Sequence, residues 1–148
     1  MSNIAVSIQQ PNIAVSLATG ATGPAGPAGA PGGSSVTWTA GENLSAARVV
    51  VIDSAGEAYH FQPNTTTHQD RAYGITTAAA TIGNSATIQI SGEMTHASFT
   101  FTAGAALYVF TNGILVDSVP ATTIIQGAGA SSGATTLRID FSKSILTS

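Results

Sequence analysis

The sequence predicts an all-β protein: a small antiparallel sandwich or barrel, preceded by an extended strand-forming arm and a short collagen-like segment. Three observations carry this. Apolar residues alternate with small or polar ones along most of the chain, the period of a strand with one buried face. Gly, Asn, Asp and Ser interrupt that alternation at short intervals, as turns require. No long segment keeps a helical period.

The arm occupies residues 1–19. "NIAVSI" at Asn3 to Ile8 returns as "NIAVSL" at Asn12 to Leu17. Each copy places apolar side chains at alternate positions: Ile4, Val6 and Ile8, then Ile13, Val15 and Leu17. Pro11 lies between them and prevents one continuous ladder. Strands this short are marginal by themselves in water. Uncharged and β-prone, they are also an aggregation hazard when uncovered. The arm is therefore expected to add strands to a partner. The plainer alternative is a frayed terminus.

The connector spans residues 20–33 and reads "GATGPAGPAGAPGG". Glycine recurs at every third position, Gly20, Gly23, Gly26, Gly29 and Gly32, with Pro24, Pro27 and Pro31 between. Three polyproline-II chains wind together only when glycine takes the crowded axis at each third residue. The period thus predicts two identical partners, a homotrimer. A flexible Gly/Pro-rich linker is the alternative.

The β-domain covers residues 34–148. Its expected strands are "VTW" at Val36, "ARVVVID" at Ala47, "EAYHF" at Glu57, "AYGITTA" at Ala72, "ATIQIS" at Ala86 and "SFTFT" at Ser98. "ALYVF" at Ala106, "ILVDS" at Ile114, "TTIIQGA" at Thr122 and "TTLRIDF" at Thr135 follow. Asn112-Gly113 marks a tight turn, because both residues accept positive φ. Asp53 to Gly56 marks another, with the Asp53 carboxylate able to bond the turn backbone. A faint duplication is visible. "RVVVIDSAGEAYHF" and "ALYVFTNGILVDS" are both hairpins, each followed by a glycine-containing strand and a closing strand, "ATIQIS" or "TTLRIDF". Two such units facing one another would build one sandwich.

Composition narrows the function. The 148 residues include no cysteine, which removes disulfides and thiol chemistry. Four basic residues stand against seven acidic ones, a net charge of −3, so no basic patch forms and nucleic acid is not an expected partner. No apolar run approaches the ~20 residues that span a membrane. The opening "MSNIAVSIQQ" has no basic region and does not read as a secretory signal. A chain so poor in charge suits surfaces buried in assemblies better than an active site, which needs several shifted ionisable groups in one cleft.

The chemistry-bearing residues point the same way. His60, His68 and His96 lie at no close metal-binding spacing with one another or with a carboxylate, so no metal or cofactor is expected. Asp53 and Glu57 flank a turn without the clustered oxygens of a calcium loop. Arg71 adjoins Asp70 and is open to pairing across a strand or subunit. No serine or threonine sits in a nucleophile elbow, and the glycine runs lack the lysine of a phosphate loop. No catalytic residue is expected. Trp38, Phe99 and Phe101 are large apolar side chains in a sequence of small ones, and read as core or subunit-interface anchors. A carbohydrate-stacking role for them is the alternative.

"GENLSAARVVVIDSAGEAY", "THQDRAYGITTAA", "TIQISGEM", "FTAGAALYVFTNGIL" and "LRIDFS", together with the arm and the Gly-X-Y run, resemble small structural proteins of tailed bacteriophages. Such modules occur in head decoration (cement) proteins and in head and tail fibres. The resemblance covers most of Gly41 to Phe141. It implies a non-enzymatic virion component, commonly trimeric, made in the host cytoplasm and placed on the outer surface of the capsid, with the major capsid protein as partner. A fibre component that binds a host receptor or glycan is the other function it implies. That reading predicts an exposed aromatic cluster.

Overall fold

A computed structural model describes residues 33–147. It is all-β, with two sheets. The first contains β1 (Ser35–Ala40), β2 (Val49–Ile52), β3 (Glu57–His60), β4 (Gly74–Thr76) and β5 (Ser85–Gln89). Their order, β1-β3-β2-β4-β5, closes on itself because β1 pairs with both β3 and β5. The β1–β3 pairing is parallel, Thr39 beside Glu57, and the others are antiparallel. The second sheet contains β6 (Gly92–Thr95), β7 (Ala106–Val109), β8 (Leu115–Val116), β9 (Ile124–Gly133) and β10 (Thr136–Ile139), ordered β6-β10-β9-β7-β8. A last strand, β11 (Ile145–Leu146), pairs with the start of β9.

The faint duplication becomes a shared topology. Taken in chain order, the five strands of each sheet have the same neighbours: the first beside the fifth, the fifth beside the fourth, the fourth beside the second, the second beside the third. Each of these pairings is antiparallel in both sheets. Only the closing contact differs. β1 meets β3 in the first unit, whereas β6 and β8 form the two ends of the second. Loop 41–48 helps close the first: Leu44 is buried and exchanges backbone hydrogen bonds with Ala80.

Burial follows the pleat. In β2, Val50 turns into the barrel with Ala40, Ala58, Ala86 and Ile88. Three alanines suit so narrow an interior, where large and small side chains must alternate. Val49 and Val51 turn outward, yet they too are buried, because the second sheet lies there. With Phe61 and Ile75 they join Leu107, Val109, Ile124 and Leu137 in one core between the units. The "VVV" run is thus apolar on both faces for two separate reasons.

The turns form as their residues require. Asp53 Oδ1 accepts the backbone N–H groups of Ala55 and Glu57, each at 2.9 Å, and Gly56 takes φ +80°. Asn112 and Gly113 take φ +57° and +67°. Gly113 also needs the missing side chain, since a Cβ would collide with the Val49 carbonyl oxygen across the interface.

The strands depart from expectation chiefly in four places. "SFTFT" forms no strand; Phe99 closes a turn on His96 O, Phe101 bonds Ala134 O, and Thr102 N–H goes to Asp117. Its alternation records burial of two rings rather than a ladder. β6 was not expected, because it begins at Gly92 with φ +85° and carries an exposed Glu93. β9 runs on through "GAGASSG", where small residues hid a strand, and contains a bulge opposite Leu107/Tyr108. β11 is too short to read from alternation.

Candidate functional site

The arm side chains Ile4, Val6, Ile8, Ile13, Val15 and Leu17 lie outside the described residues. So do the connector glycines Gly20, Gly23, Gly26, Gly29 and Gly32. The candidate site in view is therefore where the connector joins the domain. Ser34 N–H reaches Ser91 Oγ at 3.3 Å, and Ile90 N–H reaches Ser34 O at 2.8 Å. β1 then pairs with β5 over five residues, from Ser35 beside Gln89 to Thr39 beside Ser85. A pull on the connector is thus carried by a five-residue ladder.

Trp38 anchors that strand. Its half-buried ring packs on the barrel core, edge-on to Tyr73 at 5.8 Å between centroids. Gly56 lies beside the ring, where a Cβ would make ordinary van der Waals contact at 3.4 Å; its φ of +80°, not space, is what favours glycine. The indole N–H is shielded from solvent and meets no acceptor among the described residues. Phe99 and Phe101 lie elsewhere, in the core shared by the two units, 5% and 8% exposed. They stack on one another at 4.8 Å with planes 27° apart. The structure does not bring them together with Trp38.

The histidines also stay apart. His60 is buried and tied to loop 41–48. Its Nδ1 lies 2.8 Å from Glu42 Oε1, which also accepts the His60 backbone N–H at 2.7 Å. Its Nε2 accepts Ser45 N–H at 3.2 Å, which leaves the proton on Nδ1 and the ring neutral. His68 accepts Gln62 N–H through Nδ1 at 2.9 Å. Burial, with help from Arg71, holds its pKa below the usual imidazole value, against a smaller opposing pull from Glu42. His96 Nδ1 lies 2.7 Å from Ser98 Oγ in an exposed turn. Among the described residues, no three His, Asp or Glu side chains converge as metal ligands. These imidazoles fasten loops.

The carboxylates act likewise. Asp70 holds the C-terminal segment: its Oδ1 accepts Ser144 N–H at 2.7 Å and Ser144 Oγ–H at 2.9 Å. Those bonds, chiefly the backbone one, hold its pKa below the ordinary carboxylate value. A group whose folded pKa is depressed stabilises the folded form above its ordinary pKa. That contribution is lost as pH falls through the folded value. We expect the Ile145 and Leu146 methyl resonances to move toward random-coil positions on acidification below about pH 4, ahead of global unfolding. In Asp70→Asn this detachment should lose its pH dependence. Unchanged methyl shifts down to the global transition would refute the staple.

The Glu42–His60 and Asp70–Ser144 contacts have no signature in residue spacing, since they join segments 18 and 74 residues apart. Among the described residues no helix is long and apolar enough to cross a membrane. Neither any protein-family model nor any curated protein matches the chain.

Proposed function

We propose that this chain is a structural, non-catalytic virion component: a trimeric decoration protein that binds the outer surface of a phage head through its N-terminal arm and stabilises it. The observation that carries the reading is the juxtaposition in sequence of a twice-repeated uncharged strand and a strict glycine period. The first suits addition of strands to a neighbouring sheet by main-chain hydrogen bonds. The second suits three chains held side by side. The β1–β5 ladder and the Trp38 anchor support it, because a decoration protein needs a firm link between attachment arm and folded domain.

Sedimentation equilibrium of the purified protein tests the assembly. Three chains per particle are expected, with most of the stability from the β-domains, because so few Gly-X-Y triplets cannot hold three chains alone. A monomer at micromolar concentration would overturn the trimer. A density map of the virion tests the location: density for this chain on the tail alone would exclude head decoration.

A further inference from the structure

The outer face of the second sheet carries an open basin of about 570 Å³. Strand register explains its shape. Arg138 on β10 lies beside Ala130 on β9, and Ala130 lies beside Ala106 on β7. In the next row Tyr108 on β7 lies beside Gly127 on β9. The floor is therefore alanine and glycine. Tyr108 stands on one side, and Arg138, Asp140 and Ser142 stand on the other. The three polar residues are exposed and Tyr108 is half-buried. Neither Arg138 nor Asp140 has a salt-bridge partner among the described residues.

We propose that this basin binds a neutral sugar ring. An aromatic ring across from polar groups suits a pyranose, which has an apolar face of C–H groups and a rim of hydroxyls. Arg138 can only donate and an ionised Asp140 can only accept. Asp140 lies just past the end of β10, where its N–H still bonds Ala128 O, and both side chains line the basin; two residues of extended chain set them about 7 Å apart. A hydroxyl both donates and accepts, so neighbouring hydroxyls satisfy both groups at once. The opposite charges cancel, which favours an uncharged ligand over an anion. The basin volume lies within the usual range for small-ligand sites, roughly 300–1,000 Å³. The apolar face continues past the basin. Phe110 follows Val109, which lies beside Gln126, so Phe110 reaches the level of Ile125, and Ile145 lies on the other side of Ile125. Phe110 and Ile145 are exposed large hydrophobic residues. The inference does not rest on head decoration; it applies wherever the chain is displayed.

The test is an amide NMR titration of the full chain with maltotriose, cellotriose and chitotriose, each to about 20 mM, where even millimolar affinity saturates. At least one sugar should give saturable shifts centred on Tyr108, Ala130, Arg138 and Asp140. Tyr108→Ala should weaken binding by about tenfold or more, consistent with loss of a stacked aromatic contact. Ala130→Leu fills the basin from an exposed position and should abolish binding while leaving the folded spectrum elsewhere unchanged. No saturable shift with any of the three sugars would overturn the proposal. So would binding that survives Ala130→Leu.

Discussion

Deleting Met1 to Thr19 is expected to leave a soluble, folded trimer that no longer occupies undecorated heads. Residues Ser2 to Leu17 contain no charged side chain and six apolar ones at alternate positions. For each two-residue repeat, burying one such side chain contributes about 1.5–3 kcal/mol. Ordering the backbone of both residues costs about 2–4 kcal/mol. Apolar burial alone therefore nearly balances, leaning against attachment. The main-chain hydrogen bonds of an added strand supply the difference, each with a net value of about 0.5–1.5 kcal/mol. The sheet that receives the arm must then have an open edge. Three arms on one trimer raise the effective concentration of the second and third once the first is bound. Removing all three removes that avidity as well as the contacts. Full-length and truncated protein added to undecorated heads should differ from near-full to negligible occupancy. Equal occupancy would place attachment in the β-domain and leave the repeated "NIAVS" with another purpose.

What could be read from the sequence was local. Asp53 to Gly56 and Asn112-Gly113 declared themselves because a tight turn selects its own residues. The alternation in "ATIQIS" reported one buried face, which the structure places inside the barrel at Ala86 and Ile88. Strands whose signal depends on distant partners stayed hidden. β6 contains Gly92 and Glu93, and only its pairing with β10 makes it a strand. The parallel β1–β3 contact that closes the barrel has no local signature, since it joins Thr39 to Glu57 around an intervening strand. The sugar-binding basin was illegible for the same reason. Tyr108, Gly127 and Arg138 are far apart in the chain and meet through the β7–β9–β10 register. A bulge in β9 also shifts that register, so counting alternate residues would misplace it. The duplication was the exception, because a repeated order of hairpin, glycine strand and closing strand survives weak sequence identity.

That duplication raises the question of whether the two units are separable, and the core answers it. Val49, Val51, Phe61 and Ile75 from the barrel unit are buried against Leu107, Val109, Ile124 and Leu137 from the second sheet. Splitting the units would expose both sets. Phe61 is central: it is 0% exposed, its N–H bonds Val49 O, and its carbonyl accepts Gly113 N–H from the other unit. Phe61→Ala removes a fully buried ring from this shared core and leaves a cavity between the units. The expected cost is about 3–5 kcal/mol, a large share of the stability of a domain this size. Because the core is common, the loss should fall on both units together. Trp38 fluorescence reports the barrel, whereas far-ultraviolet circular dichroism reports all strands. In urea the two signals should change at one midpoint in the parent protein, and at one lower midpoint in Phe61→Ala, compared at equal protein concentration. If fluorescence and dichroism separated into two transitions, the barrel would be an independent folding unit. A loss of ~1 kcal/mol or less would show that the Phe61 ring is not a keystone of the shared core.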